Sequence, residues 1–242
     1  MIVANIRHRL TRDDAQLVLQ LIAGGSRDEQ LRGEAILREG GLDELLDDPR
    51  LLPALMERRQ GACSSLPLLA YVLVREALCR TGERDRGLAD YVTSILLHFG
   101  FGGRAQRIAA YDDEIYDTLA ALLRDVDVGD PTRAFLVRAQ LGNYALWFSG
   151  IFPDFIESQR FRRGGPDLGY YEDMGRRGYE LAAEHRLASH YGLRELYATV
   201  ADRFPQIRVA LNRVSDRVIF PHIHSPDKLL RQVRDDHRWT AS

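Results

Sequence analysis

Two basic clusters, Arg160-Phe161-Arg162-Arg163 and Arg176-Arg177, flank the run Gly164-Gly165-Pro166 and the pair Tyr170-Tyr171. Guanidinium forks grouped in this way can clasp a phosphate or carboxylate through bidentate hydrogen bonds. Neighbouring tyrosines can stack on a planar ring. With Trp147, from the least polar stretch of the chain, they give a candidate ligand-binding set of Trp147, Tyr170, Tyr171, Arg163 and Arg176. Glu157, Asp167, Glu172 and Asp173 offset the same positive charge. Solvated helix faces crossed by ion pairs therefore compete with a ligand site.

The other reactive residue types form weaker patterns. None of the seven histidines has a glutamate three positions before it, so the Glu-x-x-His ligand pair of helical metal sites is missing. His222 and His224 would share one side of an extended segment and are the weak metal candidates. No metal or other cofactor is implied beyond that pair. Nucleophilic catalysis lacks a G-x-S-x-G elbow, and Ser149-Gly150 reads as a helix end or kink. Asp112-Asp113-Glu114 and Glu172-Asp173 fall in first turns of helices, where the dipole favours negative charge without any chemistry. Gly100, Gly102 and Gly103 beside Arg104 and Arg107 read as a connector, because no strand and no G-x-G-x-x-G precede them. Of 33 basic residues only Lys228 is a lysine, so lysine chemistry has one place to occur. Whether the chain is an enzyme is left open by these residues, and the reading leans against it.

Composition narrows the class. With 45% hydrophobic and 28% charged residues, the chain of 242 is that of an ordinary globular protein. A net charge of −2 provides no bulk attraction to nucleic acid or an anionic membrane, so neither is expected as a partner. Ala139–Pro153 carries no ionisable charge but is shorter than the roughly 20 residues that cross a bilayer. Cys63 and Cys79, with no C-x-x-C, read as small core residues of a reducing compartment, which suggests the cytoplasm.

These residues need helices to position them. Thr11, Ser65 and Asp130 are N-caps, the last two followed by Pro67 and Pro131 in the first turn. Apolar residues at helical spacing mark segments from Ala15 to Ile22, Leu88 to Phe99 and Ile207 to Val218. Leu31, Ala35 and Ile36 give the apolar face of a helix over 27–39, and the segment from Leu66 to Val74 is apolar all round and therefore central. Helices are predicted from Asp130 to about Phe148, from Pro153 to about Arg162 and from Leu168 to Tyr191. The tail after Pro226 reads as frayed. Asn143 and Asn212 fall inside helical patterns and need partners across the core. Nine aromatics lie between Tyr144 and Tyr179, so this segment anchors the core, with Trp147 largely buried. The expectation is an all-α, multi-helix bundle of about eleven helices without significant sheet, a single helical domain over 1–242 with a subdivision near 100–112 as the alternative.

Four stretches, LRGEAILREGGLDELLDDPRLL, LAYVLVREAL with DRGLADYV, LGNYALWFSGIFPDFI and YYEDMGRRGYELAAEH, resemble an uncharacterised family of all-helical bacterial cytoplasmic proteins. The resemblance covers about residues 10–220 and implies a bacterial, cytoplasmic, helical protein. That family has no established activity, so no residue role comes with it. The functional expectation is a non-catalytic interaction or regulatory protein, a homo-oligomer with an unknown protein partner. The alternative is a small-molecule- or metal-binding protein with a pocket near 144–179.

Overall fold

A computed structural model describes residues 1–57, 64–100, 119–126, 130–222, 228–233 and 235. The described residues are helical without any strand, so the fold is all-α. The chain divides into two compact units, Val3–Leu97, and His98–Ser242 with Met1–Ile2.

In the first unit a 3-10 turn at Arg7–Arg9 leads into α1 (Arg12–Ala23), α2 (Arg27–Glu39), α3 (Leu42–Leu46), α4 (Leu51–Glu57), α5 (Leu66–Arg80) and α6 (Arg86–Gly100), the last three residues of α6 belonging to the second unit. Thr11 starts α1 with a reciprocal cap: Asp14 N donates to Thr11 Oγ1 at 3.2 Å, and Thr11 N donates to Asp14 Oδ2 at 2.8 Å. Ser65 caps α5 through Leu68 N, with Pro67 in the first turn. The all-round apolar pattern of α5 is matched by burial of Leu68, Tyr71, Val72, Leu73, Val74 and Leu78. Burial pushes the Tyr71 phenol up to about 12.

In α2 the outcome differs from the pattern. Leu31 and Ile36 are exposed, and the buried residue is Gly33. A Cβ there would lie 2.8 Å from Leu19 Cδ2, so α2 meets α1 through a glycine instead of its larger side chains. Cys79 is exposed, contrary to its reading as a core residue, because the C-terminal end of α5 turns it outward. Cys63 lies outside the described residues, as do the loop glycines Gly102 and Gly103, Arg104 and Arg107, the carboxylates of 112–114, Ile223 and His224.

The second unit contains α7 (Leu119–Asp125), α8 (Pro131–Ile151), α9 (Pro153–Arg163), α10 (Leu168–Glu184), α11 (Arg186–His190), α12 (Arg194–Asp202), α13 (Phe204–Val214), a π-helical turn at Ser215–Ile219 and α14 (228–233). Asp130 caps α8 through Thr132 N and Arg133 N, with Pro131 at its start. α8 is the axis of this unit, packed against α7, α10 and α13 and buried on nearly every side. α8 and α10 cross at glycine: a Cβ on Gly178 would come 2.7 Å from Gly142 N and 2.9 Å from Arg138 O. Only the missing side chains let the backbones approach so closely.

Two boundaries differ from the sequence reading. α8 runs through Ser149-Gly150 to Ile151. Ser149 Oγ bonds Ala145 O one turn back at 2.6 Å, and Gly150 makes room for Leu211, whose Cβ would lie 2.7 Å from an added Cβ. The predicted helix from Leu168 to Tyr191 breaks at His185, which is extended (φ −73°, ψ 138°) and caps α11 by accepting from Leu187 N at Nδ1. No helix among the described residues is long and apolar enough to cross a membrane.

Candidate functional site

The second unit holds a recess of about 560 Å³. α9 contributes Glu157 and Arg160, the N-terminal turn of α10 contributes Asp167, Leu168, Gly169 and Glu172, and α13 contributes Arg208. Arg231 and Val233 of α14, with Asp235, complete its lining. Ionic side chains usually face water. Here Arg208 is 3% exposed, Arg231 2% and Glu157 6%.

Buried charge needs opposite charge and hydrogen bonds around it, and the network provides both. Arg208 donates from Nε to Glu172 Oε1 (2.5 Å), from Nη1 to Asn212 Oδ1 (2.5 Å) and from Nη2 to Asp235 Oδ1 (3.1 Å). Asn212 passes the network to the end of α8, its Nδ2 donating to Ser149 O and Gly150 O, both at 2.8 Å. Ser215 Oγ donates to Ile151 O at 2.6 Å. Three of the last carbonyls of α8, which have no intrahelical partner, are satisfied in this way. Asn212 thus bonds across the core, as a mid-helix asparagine must.

α14 is held by its charges. Arg231 reaches Asp154 Oδ1 from Nε (3.2 Å) and Nη2 (3.1 Å), and Asp216 Oδ1 from Nη2 (2.8 Å). Burial works against the Arg231 charge, but Asp216 and Asp154 outweigh it and raise its pKa. Lys228 is 5% exposed and donates from Nζ to Phe220 O at 3.1 Å. A tail expected to fray is, over 228–233, fastened to the body of the unit. Its only lysine is a buried structural cation.

A connected series of rings links α8, α9 and α10. Trp147 lies 5.3 Å from Phe152, 5.4 Å from Phe99 and 6.0 Å from Tyr144, centroid to centroid. Phe148 joins Tyr171 at 5.5 Å and Phe155 at 5.9 Å, and Tyr170 stands edge-on to Tyr171 at 6.1 Å. Burial raises the Tyr171 phenol, with the neighbouring Tyr170 as a further cause. Trp147 is only partly buried, where the sequence pointed to a core position. Its helix is apolar on every side, and Trp147 and Phe148 occupy the flank the other helices leave least covered.

Of the candidate ligand residues, the structure brings Trp147, Tyr170 and Tyr171 into this one series. Arg163 is exposed at the end of α9. Arg176 lines a different depression, of about 320 Å³, with Glu180, Glu184, Arg194 and Asp202. None of the five lines the larger recess. His222 is exposed, and among the described residues no group of three or more His, Cys, Asp or Glu side chains could hold a metal ion.

Comparison with family models, with curated proteins and with solved structures finds no match to this chain.

Proposed function

We propose that this chain is a non-catalytic helical protein of interaction or regulatory type that binds a second copy of itself. A reversal of the usual burial in α9, α14 and the nearby Asp235 carries this reading. Glu157, Lys228, Arg231 and Asp235 lie at 8% exposure or less, whereas Phe155, Phe161, Leu229, Leu230 and Val233 are each more than half exposed. Apolar area left in water forfeits about 25 cal/mol per Å² until something covers it, and aromatic side chains are enriched at the cores of interfaces. The Arg231–Asp154 ion pair makes α9 and α14 neighbours.

A second copy suits this face on two grounds. A net charge of −2 sets up little repulsion between copies. A two-fold contact lets the same apolar side chains cover one another. Placement in a bacterial cytoplasm is supported by the family resemblance and by the absence of a cysteine framework in the sequence. A further, unknown protein partner belongs to the same reading.

Light scattering and native mass spectrometry over a concentration series test it. The chain is expected to be a dimer or larger in the micromolar range, and Phe155→Ser with Leu230→Ser is expected to give monomers of unchanged helicity. A parent chain that stays monomeric across that range overturns the proposal. The second reading, a small-molecule-binding protein, is supported by the charged recess, whose lining includes Glu157, Asp167 and Glu172 of the segment 144–179.

A further inference from the structure

We infer that Cys79 is a site of reversible oxidation, where a hydroperoxide converts the thiol to a sulfenate whose oxygen is held by Arg75. The inference rests on neither reading above. Every residue it uses belongs to the first unit. Cys79 is exposed near the C-terminal end of α5. Arg75 precedes it by one turn, so the two side chains stand on one face of the helix.

Arg75 is what singles this thiol out. It is only 6% exposed. Its Nε donates to Asp47 Oδ1 at 2.7 Å and its Nη2 to Asp47 Oδ2 at 3.2 Å. With those two nitrogens turned to Asp47, Nη1 lies at the opposite edge of the planar fork. Nη1 is buried and has no hydrogen-bond partner. Through space, Cys79 acts on the Arg75 charge ahead of Asp47, and Arg75 is the foremost cation acting on Cys79. The guanidinium therefore lies against the sulfur. A buried donor without an acceptor is costly, and a thiol sulfur is only a weak acceptor. An oxygen added to that sulfur is a strong one.

Oxidation by a hydroperoxide adds that oxygen. The Cys79 thiolate attacks one peroxide oxygen, so an S–O bond forms and the O–O bond breaks. Sulfur loses two electrons and the peroxide gains them. The departing oxygen takes the proton of the new sulfenic acid and leaves as water, or as an alcohol from an organic peroxide. The sulfenate oxygen left on sulfur is an anion, and charge-assisted hydrogen bonding from Nη1 suits it. The acids nearby have cations of their own: Arg86 Nε also donates to Asp47, at 2.9 Å, and Glu76 pairs with Arg80. Burial pushes the Cys79 thiol up, with Arg75 working against that rise. The reduced form is thus slow to react, and the arrangement favours the oxidised product over the thiol.

The full chain carrying Cys63→Ser, which leaves Cys79 as its single thiol, tests the assignment. It is treated with a small excess of hydrogen peroxide, the peroxide is destroyed with catalase, and reduced glutathione is added. Peptide mapping by mass spectrometry follows the one-oxygen form of Cys79. That form is expected to accumulate. Glutathione is expected to consume it about tenfold more slowly than in the same chain with Arg75→Lys, which lacks the charge-assisted hydrogen bond. Lysine keeps a cation for Asp47 and gives up the arm that lies against sulfur. Where circular dichroism shows that this variant has lost its helices, the folded Cys63→Ser chain is compared with itself in urea, where Arg75 is withdrawn and the protection should vanish. Equal lifetimes with and without Arg75 in place, oxidation found only as sulfinate or sulfonate, or no oxygen on Cys79 overturns the proposal. None of these outcomes depends on the oligomer mass.

Discussion

Tyr179 Oη donates a 2.7 Å hydrogen bond to Asn143 Oδ1, and the pair joins α10 to α8 at the centre of the second unit. Tyr179 is 0% exposed and Asn143 2%. A polar contact sealed in this way is costly to break on one side only, because the remaining group cannot turn to water. Tyr179→Phe keeps the ring and removes the donor. It is expected to lower stability by on the order of 1 kcal/mol or more, read as a reduced urea midpoint with an unchanged slope.

Arg208 answers two carboxylates and an asparagine from within the core. Arg208→Met leaves Glu172 and Asp235 facing each other with that cation gone. Loss of one partner from a buried ionic group costs about 3–5 kcal/mol. The triple change Arg208→Met, Glu172→Gln, Asp235→Asn removes the stranded charge and should recover a large part of the loss. If the single and triple variants melt together, the network is not held by charge.

Trp147 is half-covered, and its truncation should reflect that. Fully packed large-to-small changes cost roughly 3–5 kcal/mol. Trp147→Ala is expected to fall below that range, since part of the indole already faces solvent. The ring contacts with Phe99, Tyr144 and Phe152 keep the cost above zero. A denaturation midpoint for this variant, taken with its oligomer mass, separates a packing role from an interface role.

His185 provides a pH dependence with a definite sign. Its imidazole stacks on Phe135 at 5.5 Å, and its Nδ1 accepts from Leu187 N at 3.3 Å. Burial, then the charges of Arg138 and Arg186, hold its pKa below the usual 6.5. Between the folded value and about 6.5 the unfolded chain binds a proton that the folded chain refuses. Stability from this group is therefore complete above about pH 6.5, falls as pH drops toward the folded pKa, and levels off below it. Urea midpoints across that window should slope for the parent chain and flatten in His185→Gln. A His185 ring titration by NMR centred at or above 6.5 would refute the assignment.

Much of the helical skeleton was legible because it depends on neighbours in sequence. Thr11, Ser65 and Asp130 cap the helices whose starts they mark. The misread boundaries come from contacts made at a distance. Gly150 looked like a stop, yet Leu211 from α13 needs the space it leaves. His185 looked like one more helical residue, and only its own side chain bonding forward to Leu187 reveals the break. The recess was hidden for the same reason. Nothing in the sequence singles out Arg208, Arg231 and Asp235; tertiary structure pairs Arg208 with Glu172 and Asp235, and Arg231 with Asp154 and Asp216. One signal was available: Asn212 lies one turn after Arg208 in an otherwise apolar run, and both are buried together.

The glycine crossing of α8 and α10 bears on how such a chain can change over generations. Gly142 and Gly178 both sit where the crossing leaves no room for a side chain: a Cβ on Gly178 meets Gly142 N, and a Cβ on Gly142 meets the Tyr179 ring at 2.7 Å. Neither position can drift alone while the helices keep their separation. Descendants that keep this separation inherit both glycines as a linked pair. A lineage that acquires a side chain at either one must first have moved the two helices apart, and with them the Tyr179–Asn143 bond.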